Sequence, residues 1–443
     1  NILPSGILLL SKMKKYIDKI KRLFQYNTLF QLFSSRLFVQ ATTILQSIII
    51  SRLLGPEGKG EFTEAILYPT LVASLSMLGL YTGIVRISAK KNVSEYYNIT
   101  QSVLYVTLIT GTLGLVISYI INSYMFTQKY FLVTTQFYAV YALIYNINRG
   151  LSAINNGRGN MGIFSISSSI LNPVFFLCIL VLCILKKISI ETLLLSLLFA
   201  NFCSLAFLFY KRDREKGKKI LSPFKMLRYS LRFSPSDFSE PLYAYYDKAI
   251  VAFILSSYDL GLYTIAYSAA GLINIVSSTF SIQLFSNVAR GETRNLFAYM
   301  RINFITMFLI SLCMCVLFPF IIPFVFGNEF KPSVIIAILL LPVCILQGQS
   351  FVIERAILAK GLPFVGVQAK TLTIVFFAGG AFLFKFLGIS SLVTFAILLL
   401  CVQSIYLAYM HHRMKQVFAD CRIFPNIKDI IILFRKIIRK ITN

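Results

Sequence analysis

Nine charged side chains stand inside otherwise apolar stretches of this chain: the bases Arg36, Arg232, Lys248, Arg355 and Lys370, and the acids Asp237, Glu240, Asp247 and Glu354. Their types and spacing suit the holding of charge better than the breaking of bonds. Arg36 has Gln40 one helical turn on and no acid on its own stretch. A guanidinium can grip phosphate oxygens through two parallel hydrogen bonds, so Arg36 and Gln40 are candidate ligands for an anionic group. The plainer alternative is an arginine that snorkels to a membrane interface or pairs with Asp237 or Glu240. Asp237, Glu240 and Asp247 are spaced by three and seven residues, which puts all three on one helical face. Pro235 and Pro241 should bend that helix or free its carbonyls. Asp237 and Glu240, with Lys370 from a later stretch, are therefore candidate substrate ligands. Asp247 could equally just neutralise Lys248 or Arg52, and Asp237 could neutralise Arg36 or Arg232. Arg52 with Asp247 and Lys248, and Arg149 with Glu354, are candidate gating pairs; polar caps at headgroup level are the simpler reading of the second. His411 and His412 are the only histidines, and no Cys-x-x-Cys, nucleophile elbow, Walker loop or metal-ligand spacing occurs. The expectation is no enzyme, no cofactor and no metal.

The elements that position these charges follow from composition. The chain has 443 residues and a net charge of +26, yet 57% of its residues are hydrophobic and only 14% charged. A basic soluble protein would suggest nucleic acid, but soluble domains carry about 25% charged and about 45–50% apolar residues. This chain is too apolar for that class, and for disorder, so no nucleic-acid partner is expected. A bilayer core needs about 20 apolar residues in a helix. Twelve runs qualify: Leu29–Ser51, Ala65–Val85, Ile99–Ile121, Phe131–Asn148, Ile163–Leu185, Thr192–Tyr210, Leu231–Leu255, Leu262–Ala289, Ile302–Phe326, Val334–Ala359, Phe364–Phe384 and Ile389–Met410. The seventh is the weakest, because of its acids and prolines.

Lys and Arg mark the cytoplasmic side of short loops. Taking alternate segments from the N-terminus, 31 of the 43 bases fall on one side and seven on the other. Both termini are thus predicted to be cytoplasmic, with residues 1–28 and 411–443 outside the bilayer. Residues 1–12 precede Met13 and carry no basic n-region, so they read as an extraneous extension rather than a signal peptide. In the tail, Ile427, Ile430, Ile431, Phe434, Ile437, Ile438 and Ile441 recur at helical spacing with bases largely between them. This predicts an amphipathic helix on an anionic leaflet.

The basic segment 211–228 divides six runs (29–210) from six (229–410). Gly60-Glu61-Phe62-Thr63-Glu64-Ala65 in the first half matches Gly261-Leu262-Tyr263-Thr264-Ile265-Ala266 in the second as G-x-[FY]-T-x-A, at an offset of 201. Phe126 to Tyr130 similarly matches Phe326 to Phe330 at an offset of 200. A duplicated six-helix unit in parallel orientation is the expectation, with a substrate site between the halves.

Three segments carry a family resemblance. Ser51 to Phe62 is similar to the loop after the first helix of Wzx-type polysaccharide flippases. Asp247-Lys248 with Leu260 to Ala266 resembles that family's seventh-to-eighth helix region. Phe326 to Pro332 resembles its G-x-x-F-x-P loop. The family belongs to the superfamily of multidrug, oligosaccharidyl-lipid and polysaccharide exporters. The resemblance implies an all-α integral membrane protein with twelve transmembrane helices in two pseudo-symmetric six-helix lobes around a central cavity. It implies translocation of undecaprenyl-diphosphate-linked oligosaccharide units across the bacterial cytoplasmic membrane by alternating access, for O-antigen or capsule biosynthesis. The partners would be that lipid-linked diphosphate, membrane lipid, and a polysaccharide polymerase and glycosyltransferases. The alternatives are a cation-coupled multidrug exporter of the same superfamily or a non-transporting scaffold for glycan synthesis. Such exporters use a carboxylate inside the first lobe, whereas the first six runs here hold no acid except Glu64 at an edge.

Overall fold

The computed structural model describes residues 28–89, 98–125, 131–211, 220–289 and 296–418. The side chains of 28–37, Arg36 among them, and the tail 419–443 with its expected amphipathic helix lie outside the described residues. No strand occurs among the described residues. The helices are α1 (Thr28–Ser76), α2 (Leu80–Ser88), α3 (Ile99–Met125), α4 (Phe131–Gly157), α5 (Met161–Ile184), α6 (Ile190–Tyr210), α7 (Pro223–Ser230), α8 (Ser234–Ile254), α9 (Ser257–Ala270), α10 (Asn274–Ala289), α11 (Leu296–Phe326), α12 (Ser333–Ala359), α13 (Pro363–Phe386) and α14 (Leu392–Val417).

Each apolar run lands on helix, with three local differences. The first two runs are joined in α1, which breaks direction at Gly55 (φ 67°, ψ −175°). That φ is open to glycine without penalty, and Pro56 then starts a new helical segment without needing a backbone partner for a nitrogen it lacks. The second span thus begins at Pro56, nine residues before the expected Ala65. It breaks again before α2, where the chain turns through Leu78 and Gly79. The eighth run is α9 and α10, joined by a 3-10 turn over Gly271–Ile273. Nine helical segments among the described residues are long and apolar enough to cross a membrane, the first, Phe38–Ser76, containing the Gly55 break. α8 falls outside that set, as its acids and prolines lead one to expect.

The buried apolar side chains form separate cores in the two halves of the sequence. Two clusters draw on residues up to Met226, around Phe137 and Ile84. Two draw on residues from Tyr246 onward, around Leu340 and Met410. Between them the repeated motif folds onto itself. A Cβ on Gly60 would strike the carbonyl of Ser257 and come within 3.1 Å of the Gly261 nitrogen. A Cβ on Gly261 would strike the carbonyl of Pro56 and come within 3.2 Å of the Gly60 nitrogen. Residues 56 and 60 exchange contacts with 257 and 261, the positions 201 further on. That reciprocity is what a two-fold axis between equivalent segments produces. The second motif pair includes residues 126–130, which lie outside the described residues.

Candidate functional site

The α1–α9 seam closes one end of the interface between the halves, the end predicted to face outward. Arg52 reinforces it. Its Nε donates to the carbonyl of Val325 at 2.7 Å and an Nη donates to that of Phe324, both at the end of α11. At the opposite end Asp237 of α8 accepts from Thr82 of α2, at 2.6 Å from the hydroxyl and 3.2 Å from the backbone nitrogen. The halves are thus tied at both ends, with open space between.

That space is a cavity of about 600 Å3 lined from the first half by Gln40, Lys59 and Tyr141 and from the second by Tyr245, Tyr267 and Asn274, among others. None of its lining residues is an acid. Lys59 is only 7% exposed. Its ammonium lies 5.9 Å from the centre of the Phe62 ring, and no carboxylate of the described residues pairs with it. A buried cation without a counter-ion is costly, because low polarity weakens its solvation and nothing repays the loss. An anion entering here would be held correspondingly well. Lys248 stands near the same wall, 4.8 Å from the Tyr267 ring centre.

Tyr267 and Asn274 also border a second cavity of about 350 Å3 within the second half, so the two spaces adjoin. Here α8, α12 and α13 bring Glu240, Glu354 and Lys370 together. The Lys370 ammonium donates to Glu240 and to Glu354, each at 2.8 Å. Lys370 is 4% exposed and Glu354 13%, whereas Glu240 is 56% exposed and open to the cavity. Tyr406 donates to the other Glu354 oxygen at 3.3 Å. Gly366, one turn before Lys370, leaves the room that the Glu354 carboxylate fills.

Glu240 and Lys370 were each expected as substrate ligands, and the structure pairs them with one another. It brings Gln40 to the central cavity instead. Asp237 lies at the inner tie, bonded to Thr82 and not to Arg232; its expected pairing with Arg36 lies outside the described residues. The two expected gating pairs are not formed in this structure. Asp247 is buried and accepts from the Tyr263 hydroxyl at 2.7 Å, so it does not reach Arg52. Arg149 stacks over the Tyr81 and Tyr145 rings at 4.7 and 5.8 Å, while Glu354 is taken by Lys370. Lys59 was missed because it was read as a loop base. The signal was there: Lys59, Phe62, Ile66 and Thr70 recur at helical spacing, and all four line the central cavity.

Two pseudo-symmetric helical halves around a cavity, built from helices of membrane-spanning length, define a multi-pass membrane protein with the fold of a transporter. Residues 26–285 match the family described as "Polysaccharide biosynthesis protein", and the chain belongs to it. Among solved structures it is similar to the lipid II flippase MurJ in an inward closed conformation, at 14% identity and a TM-score of 0.71 over 90% of this chain and 89% of that one. It is also similar to an inward-facing multidrug resistance MATE family transporter of the MOP superfamily, at 12% identity and a TM-score of 0.66 over 85% and 95%. A third is a MOP superfamily transporter from Pyrococcus furiosus, at 15% and 0.61 over 88% and 95%. At such identities these likenesses establish the fold. No curated protein sequence matches the chain.

Proposed function

We propose that the protein is a flippase that carries a polyprenyl-diphosphate-linked oligosaccharide across the cytoplasmic membrane for surface polysaccharide assembly. Lys59 is the observation that carries this reading: a buried cation with no carboxylate partner among the described residues, lining an acid-free cavity between the halves. An anionic headgroup suits that cavity, whereas a cationic drug would meet only repulsion there. Glu240 and Glu354, the acids that border the second cavity, share the Lys370 ammonium, which a coupling cation would have to displace. The transport units in this reading are 29–210 and 229–410, joined by the basic linker 211–228. The polyprenyl chain stays in lipid while the polar head crosses. The ties at Arg52 and at Asp237 break in turn, so that the cavity opens to one side at a time. Transport in one direction then requires that the two states differ in their affinity for the load.

Lys59→Gln is expected to abolish surface polysaccharide while leaving the amount of inserted protein unchanged, and Lys59→Arg is expected to retain part of it. Undiminished surface polysaccharide in the glutamine variant would exclude Lys59 as the headgroup ligand. For orientation, an impermeant maleimide on intact cells is expected to label a cysteine at Lys187 and to spare one at Ser222; both positions are exposed loop or helix-cap residues. The reverse pattern would invert the topology.

A further inference from the structure

We infer that the 350 Å3 cavity of the second half is a carbohydrate pocket, in which Glu240 and Asn274 receive sugar hydroxyls while the diphosphate sits beside Lys59. The inference rests on the flippase reading above and divides the substrate between the two adjoining cavities.

Charge separates the two. The central cavity offers Lys59 and no acid. The second cavity is bordered by two carboxylates and one ammonium, an excess of one negative charge. A diphosphate is repelled from the second and drawn to the first. A sugar has no charge to be repelled, and its hydroxyls donate readily to carboxylate oxygens, where the ionised acceptor shortens and strengthens the bond. Glu240 is placed for this. One of its oxygens takes Lys370, the other has no partner among the described residues, and the side chain is open to the cavity. Asn274, where the two spaces meet, has an Oδ1 that is buried and accepts no hydrogen bond from the described residues. Leaving a buried acceptor unmet is costly, and a hydroxyl of the load would recover that cost.

The remaining walls suit the other face of a sugar ring. Tyr243, Tyr267, Phe351 and Tyr406 line the cavity. The three tyrosine hydroxyls are already committed, to Gln403, Gln347 and Glu354 respectively. The rings are thereby held in place, and their carbon atoms give the cavity an apolar wall against which the C–H groups of a pyranose can pack. The pocket is at the small end of the range for ligand sites, about 300–1,000 Å3. It fits the end of an oligosaccharide, with the rest lying in the central cavity.

The test uses the full chain in nanodiscs and three probes measured by titration calorimetry. These are the lipid-linked oligosaccharide extracted from host membranes, undecaprenyl diphosphate without sugar, and the oligosaccharide freed from lipid and phosphate by mild acid. Glu240→Gln and Asn274→Ala are each expected to weaken the first and third probes about tenfold and to leave the second within twofold. Lys59→Gln is expected to weaken the first and second and to spare the third. Glu240→Gln keeps the shape of the side chain and leaves Lys370 paired with Glu354, and an unchanged melting midpoint checks that the variant folds. The carbohydrate pocket is overturned if the freed oligosaccharide does not bind the parent at millimolar concentration. It is also overturned if Glu240→Gln leaves that binding unaltered or weakens undecaprenyl diphosphate equally. A parent that binds the freed oligosaccharide but neither diphosphate probe would instead defeat the diphosphate reading of Lys59, with the sugar pocket standing.

Discussion

Gly261→Ala is expected to cut surface polysaccharide at least about tenfold with the protein still inserted in the membrane. The added methyl group has nowhere to go. It would strike the Pro56 carbonyl and crowd the Gly60 nitrogen at 3.2 Å. Both are backbone atoms of a helix start, so no side chain can rotate aside. Overpacking of a well-packed core typically costs about 1–3 kcal/mol, and every 1.4 kcal/mol shifts an equilibrium about tenfold. The seam can escape that cost by parting, since it joins two halves with separate cores rather than lying inside one. The substitution therefore biases the halves apart at this end, and the state that closes it becomes rare. Gly60→Ala should do the same from the other side, because the contacts are reciprocal. A cysteine at Ser257, beside the seam, should then react with an impermeant thiol reagent faster than in the parent background. Unchanged labelling together with normal export would show that the seam tolerates the methyl and is no moving part. Lost export without faster labelling would assign the effect to something other than opening.

The same seam shows what the sequence carried. Membrane-spanning length is a long-range apolar signal, so each run was recognisable, and the offset of 201 that relates the two motifs returned as close approach of residue 60 to 257, of 56 to 261, and of 60 to 261. Helix starts were less legible. The segment from Pro56 to Glu64 is polar enough to resemble a loop, and so the ammonium of Lys59 went uncounted among the cavity groups. For the acids of α8, helical spacing gave the right face but not the neighbours. Asp237, Glu240 and Asp247 share one stripe, yet each meets a different element: Thr82 of α2, Lys370 of α13 and Tyr263 of α9. Periodicity fixes the angle at which a side chain leaves its own helix. Which helix stands opposite at each level depends on how the whole bundle packs, and only the three-dimensional arrangement supplies that.

The bridge made by Lys370 is expected to be the most sensitive ion pair among the described residues. Lys370→Met should lower stability by about 3–5 kcal/mol, the usual cost of removing one partner from a buried pair and leaving the other charged. The two carboxylates do not share that cost equally. Glu240 is 56% exposed, so water screens it and its own pairing contributes little. Glu354 is 13% exposed, wedged between the Gly366 backbone and the Tyr406 hydroxyl, so it is far less screened when Lys370 is gone. Adding Glu354→Gln to Lys370→Met should therefore recover most of the lost stability, since a neutral amide needs no counter-ion and replacing a whole buried pair is often close to neutral. Adding Glu240→Gln instead should recover little. The melting midpoints of the three purified variants decide the matter. A Lys370→Met protein as stable as the parent would mean that the bridge is incidental. Equal rescue by both second substitutions would mean that exposure does not set the cost. The predicted order places the structural charge on Glu354 and leaves Glu240 free for what enters the cavity, so that one lysine both holds the second half together and orients the acid that meets the load.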